Sequence, residues 1–121
     1  MIRVKQTKLH SETQKGNCLA AALASLFELP LNKIPEFEEM GDSWSCNFIT
    51  WLYTMGYEHT CIYDGLAPKG YALASGISDR GVNHMVIVKD GVFVHDPHPS
   101  NTFIKSIDAY WVIRPRPYNG R

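Results

Sequence analysis

Two stretches of this sequence hold residues that could carry out nucleophilic chemistry near neutral pH. "GNCLAAALASLF" has Cys18 at the head of an alanine-rich run, and "HMVIVKDGVFVHDPHPS" carries His84, His95, Asp96 and His98. The thiolate of a cysteine is the nucleophile, and its pKa of about 8.5 falls to about 3.5–7.5 at a helix N-terminus or beside a histidinium. Given an imidazole to take the proton and a carboxylate to orient the ring, such a cysteine can attack a carbonyl carbon. The expected roles are Cys18 as nucleophile, His84 as general base and acid, and Asp96 as the orienting group.

These roles depend on the elements that carry them. Asn17 is the predicted N-cap of a helix over "CLAAALASLFEL" that Pro30 stops, so Cys18 becomes its first residue, among unpaired amides that can also stabilise an oxyanion. The helix is apolar nearly all round, as a buried central helix is. "MVIVKDGVFV" reads as a β-hairpin with two registers. A two-residue Asp90-Gly91 turn sets Met85 across from Asp96. A three-residue Lys89-Asp90-Gly91 loop, with Gly91 as a left-handed bulge residue, sets His84 opposite Asp96, with Cβ atoms about 4.5–5.5 Å apart. The three-residue loop is the expected one, since the other puts Asp96 on the wrong face; His95 then faces away.

Around these, "MIRVKQT" is predicted to be an opening strand, "SETQKG" a polar loop and "PLNKIPEFEEM" an irregular connection. "SWSCNFITWLYTM" has helical spacing with Gly56 as its C-terminal cap. "YEHTCIY", "YALASGI", "HMVIV", "VFVHD" and "YWVIR" are strand-like. Helices followed by strands predict an α+β domain, the first helix laid on an antiparallel sheet. A single domain is expected over residues 1–114, with 115–121 as a tail, because the prolines of "RPRPYNGR" deny both helix and central strand.

"GNCLAAALASLFELP" with "HMVIVKDGVFVHDP" resembles the papain-like cysteine peptidase superfamily, and within it the double-glycine leader peptidases. "GNCLAAALASLFELPLNKIP" with "HDPHPS" also resembles a group of small bacterial and phage proteins. The resemblance implies a papain-like fold and the triad Cys18, His84 and Asp96. The implied activity is cleavage of a peptide or isopeptide bond in a protein or peptide substrate, through a thioester and without a cofactor. It also implies a glutamine upstream of the cysteine as oxyanion donor. Its usual place, six residues before, holds Glu12; Gln14 and Gln6 are the candidates, and Gln6 is favoured because "VKQT" also resembles the small proteins. Leu19 stands where leader peptidases often have glycine. The same triad serves acyl transfer in transglutaminases and arylamine acetyltransferases. A third outcome is a non-catalytic module, such as a phage-encoded factor that engages a host protein.

Composition narrows the field. The 121 residues carry 12 basic and 12 acidic side chains, a formal charge of +0, which leaves no electrostatic footprint for nucleic acid. No apolar run approaches the roughly 20 residues of a membrane span, and "MIRVKQTKLH" lacks a signal-peptide core, so a cytoplasmic protein is expected. Three widely spaced cysteines suit free thiols, with Cys46 and Cys61 expected in the core. A metal site at His95, Asp96 and His98 is disfavoured, because neighbours on a strand point to opposite faces. Asn17, Asn83 and His98 are the candidates for a substrate rim, and "SDRGVN" for a substrate-facing loop. Trp44, Trp51, Tyr110 and Trp111 read as core aromatics, and "EFEEMGD" as a solvated acidic face.

Overall fold

The computed structural model describes residues 1–117. Helix α1 spans Cys18–Phe27, and Leu19 to Ser25 are all buried. Its four alanines leave a thin surface, so the helix lies close on strand β3 (Asn83–Lys89). It ends before the predicted Leu29 because Glu28 turns left-handed, with φ 58°. Helix α2 spans Trp44–Thr54 and buries Phe48 and Leu52. Gly56, at φ 87°, closes it as expected.

The remaining strands are β1 (Tyr57–Ile62), β2 (Tyr71–Ile77), β4 (Val92–His95) and β5 (Ala109–Pro115). They form one five-stranded sheet in the order β1-β5-β2-β3-β4, with every neighbouring pair antiparallel. The protein is therefore α+β, as the order of helices and strands predicts, with α1 starting at Cys18. No helix among the described residues is long and apolar enough to cross a membrane.

Alternation along the strands sorts side chains onto two faces. Leu73, Met85, Ile87 and Trp111 meet the helices, packing against Leu19, Leu23, Phe37 and Phe48. On the other face Ala72, Ala74, Val86, Val88 and Tyr110 are covered by Phe103, Ile104 and Ile107. That covering segment lies against β2: the N–H of Lys105 donates to Ile77 O and that of Asp108 to Ser75 O, both at 2.8 Å. This is why position 76, the partner of His84 across β2 and β3, is glycine. A Cβ there would sit 1.9 Å from the Ser106 carbonyl oxygen.

Three expectations are corrected. "MIRVKQT" joins no sheet; it is an extended strap whose Ile2 N–H donates to Ser25 O, Val4 N–H to Ser25 Oγ and Gln6 N–H to Pro97 O. Its neighbour is the "DPHP" exit from β4, where prolines without N–H groups cannot continue a ladder. Pro115 belongs to β5, although the sequence places it at the start of a proline-rich tail. Pro115 pairs with Tyr57 of β1 beyond the reach of β2, which ends its pairing at Trp111, so the strand has only one neighbour there. Residues 118–121 of the expected tail lie outside the described residues. Cys46 is exposed rather than buried, because α2 buries only Phe48 and Leu52, and Cys61, on the edge strand β1, is half-buried.

Gly76→Ala is expected to destabilise the fold by about 1–3 kcal/mol, the usual cost of overpacking. Urea denaturation checks this, with Gly70→Ala, which meets open space but has a positive φ, as the purely conformational comparison.

Candidate active site

The hairpin that carries the expected histidine and aspartate does not have the expected loop. Lys89 pairs directly with Val92, leaving a two-residue turn of Asp90 (φ 52°) and Gly91 (φ 81°). Positive φ at both positions is the type I′ geometry that matches strand twist. Asp90 tolerates it because Gly70 clamps it: Gly70 N–H donates to Asp90 Oδ1 at 2.7 Å, and Asp90 N–H to Gly70 O at 3.0 Å. The extra residue lies further along. Val88 pairs with Phe93, but Ile87 pairs with His95, so Val94 bulges out of β4. Continued one step, this shifted register sets Asp96 beside Val86, two residues from His84 and on the same face. The bulge restores what the two-residue turn would have removed.

His84 and Asp96 consequently meet, with Nε2 to Oδ1 at 2.6 Å. Asp96 is 1% exposed and His84 5%. Asp96 Oδ1 also accepts from His98 N–H, and Oδ2 from Phe103 N–H, each at 2.9 Å. Burial alone would raise this carboxyl, but the hydrogen bonds from His84, His98 and Phe103 outweigh it and hold the pKa at about 2. An ionised carboxylate only accepts, so Nε2 of His84 carries the hydrogen and Nδ1 is the ring position left open. His95 points to the face opposite Asp96, as expected; that face is the helix side, and His95 Nε2 donates to Val4 O at 2.7 Å. Lys5 Nζ donates to the carbonyls of Asp96 and His98, at 2.9 and 3.1 Å. The N-terminal strap therefore pins the segment that holds the dyad.

Cys18 and His84 line one cavity of about 760 Å³, together with Gln6, Asn83 and His98. Among the described residues no hydrogen bond joins the Cys18 thiol to the His84 ring; catalytic contacts are often loose before substrate binds. Trp44 and Trp111, stacked at 6.2 Å, form part of the wall, so two of the expected core aromatics face both core and cavity. Trp51 packs edge-on against Phe27, and Tyr110 lies on the opposite face of the sheet. Arg80, Val82 and Asn83 of "SDRGVN" also line the cavity. His98 stands edge to face with His84 at 6.0 Å; burial, then the charges of Arg80 and His84, lower its pKa.

The expected low thiol pKa is reversed. Burial and the negative charge of Glu38 push the Cys18 thiol up to about 11, against smaller contributions from the amides of Met85, Leu19 and Cys18 itself. Glu38 lies in the 3-10 turn Phe37–Glu39, where Phe37 is 1% exposed and anchors the turn in the core. Its Oε2 accepts from the N–H of Leu19 at 2.7 Å and of Ala20 at 3.4 Å, so it occupies the helix end that was expected to favour a thiolate. The acidic run is thus not wholly a solvated face.

Asn17 does not cap α1 with its side chain. Its Oδ1 accepts from the N–H groups of Thr7 and Lys8, and its Nδ2 donates to Thr7 Oγ1, so it ties the preceding loop together and stands away from the cavity lining. Gln6 reaches the cavity; its Nε2 donates to Lys8 O at 2.8 Å, while Oε1 is buried without a partner. Gln14 does not reach it: Gln14 is exposed, donates to Leu9 O, and lines a separate depression. Among the described residues no group of three or more His, Cys, Asp or Glu side chains is placed to hold a metal ion. The inward turn of Glu38 has no signature in the sequence, because its helix partner lies about twenty residues away. Comparison with known proteins finds no matching family model, curated protein or solved structure.

Asp96 titrates at about 2 in the fold against an ordinary value of 3.8. Its contribution to stability, about 2 kcal/mol by linkage, is present above pH 4 and is lost as the pH falls from 4 through 2. Urea midpoints measured across that range should fall in the wild type and fall less in Asp96→Asn.

Proposed function

We propose that the protein is a cysteine-dependent hydrolase with a single papain-like domain, acting on a peptide or isopeptide bond through a thioester on Cys18. The observation that carries this reading is the buried 2.6 Å contact between His84 and Asp96, opening into the same cavity as a cysteine at the start of a buried helix. A histidine held in this way has one nitrogen committed to the carboxylate and the other available to exchange a proton.

In the proposed reaction Nδ1 of His84 takes the Cys18 proton as the sulfur attacks the carbonyl carbon. The C–N bond then breaks, and the same nitrogen returns the proton to the departing amine. Water, deprotonated by His84, next attacks the thioester, and the acid product leaves with the thiol restored. Asp96 stays ionised throughout. Gln6 is the proposed side-chain oxyanion donor, because one hydrogen of its amide remains after the bond to Lys8 O and because it shares the cavity with Cys18. Asn83 and His98 are proposed to contact substrate at the rim.

The raised thiol pKa favours a second reading, in which the cavity captures a partner segment without turnover. An electrophilic peptide probe followed by mass spectrometry separates the two. The hydrolase reading expects an adduct on Cys18 that is absent in Cys18→Ser and forms at least about a hundredfold more slowly in His84→Ala, the lower bound for a general base. Labelling of Cys18 at the same rate in wild type and His84→Ala contradicts it. An acyl adduct discharged to an added amine in preference to water assigns the same triad to acyl transfer.

A further inference from the structure

A helix N-terminus beside a cysteine normally offers free N–H groups and a field that favours the thiolate. Here a carboxylate from a separate segment fills that position. The Glu38 contacts at 2.7 and 3.4 Å bring negative charge to the first turn of α1, next to the sulfur they flank. The turn is not loosely placed, since Phe37 before it is buried at 1% exposure and packs edge-on against Phe48 and Trp51. Its neighbours in sequence are tied elsewhere: Glu36 pairs with Lys8 at 2.7 Å and Glu39 approaches it at 4.0 Å, on the outer side. Glu38 alone of the three lines the cavity.

We propose that Glu38 is a positioning residue that holds Cys18 as a resting thiol, and that removing its charge releases the nucleophile. This rests on reading Cys18 as the nucleophile. The carboxylate can lose its charge without losing its contacts. Oε2 makes both amide bonds, whereas Oε1 is buried with no partner. A proton added to Oε1 leaves the helix capped and cancels the negative charge beside the sulfur. Burial already raises the Glu38 pKa, so this proton is taken up more readily than by an exposed glutamate. The other ionisable groups around Cys18 are His10 and Lys15 from the preceding loop, His84 on β3 and Asp108 before β5, with Arg80 and His98 at the mouth. Among all these, Glu38 is the group whose charge raises the thiol pKa.

The test is the pH profile of Cys18 alkylation by iodoacetamide in a Cys46→Ser, Cys61→Ser background, where Cys18 is the only thiol. Glu38→Gln keeps an oxygen for the Leu19 amide and removes the charge. It is expected to move the midpoint down by about one pH unit or more, with an alkylation rate at pH 8 raised about tenfold, because each unit of pKa is a factor of ten in thiolate. Glu39→Gln, an equal change in net charge on the outer side, should leave the midpoint in place. Glu38→Ala provides a second variant that lacks both cap and charge, and its midpoint should move in the same direction. An unshifted midpoint in either folded variant overturns the proposal, as does an equal shift in Glu39→Gln. The hydrolase reading fails separately: if His84→Ala leaves labelling by the peptide probe unchanged while Glu38→Gln shifts the alkylation profile, Glu38 controls the thiol but the triad does not operate.

Discussion

The contact between His84 and Asp96 makes demands on nearly every other part of the structure. An ionised carboxylate taken out of water costs several kcal/mol unless donors replace the lost hydration. Asp96, at 1% exposure, receives three: the His84 ring and the amides of His98 and Phe103. Each comes from a different piece of chain, so each piece must arrive in place. The bulge at Val94 turns Asp96 to the His84 face, Gly76 lets the 103–107 segment approach, and the strap of residues 4–6 pins the exit through Lys5, the Gln6 amide and the Val4 carbonyl.

Two carboxylates act on the groups that line the cavity, Asp96 from behind His84 and Glu38 from the lining itself, and their situations are opposite. Asp96 is surrounded by donors and stays ionised far into acid. Glu38 has two amides on one oxygen and nothing on the other, and burial lifts its pKa. The first steadies an imidazole with an open nitrogen, and the second sets a negative charge against the thiol. The site therefore has an imidazole held in position and a thiol held back, which under the proposed hydrolase reading is a resting arrangement rather than an activated one.

Local pattern carried the elements well and their long-range contacts poorly. The alanine-rich helix, the second helix with its glycine cap and all five strands follow from periodicity and turn chemistry, and so does the α+β arrangement. His84 and Asp96 were expected as partners and do touch, but through a two-residue turn and a bulge rather than a three-residue loop. "KDG" permits either turn; the choice comes from Gly70, twenty residues before Asp90, which no local reading contains. Asn17 has the composition of an N-cap, yet its side chain is taken by Thr7 and Lys8, and the capping role passes to Glu38. The thiol pKa expected from the helix end alone was consequently reversed in direction.

The central claim is that Asp96 fixes the His84 ring with Nε2 protonated and Nδ1 open toward the space shared with Cys18. Long-range proton–nitrogen NMR of protein labelled with 15N-histidine reads this directly, with His84 assigned by its loss in His84→Gln. The account predicts an Nε2–H ring whose Nδ1 resonance shifts when Cys18 is alkylated, while His95, bonded to Val4 on the opposite face, does not respond. A hydrogen on Nδ1 with a bare Nε2, or an Nδ1 resonance indifferent to the state of Cys18, would contradict it.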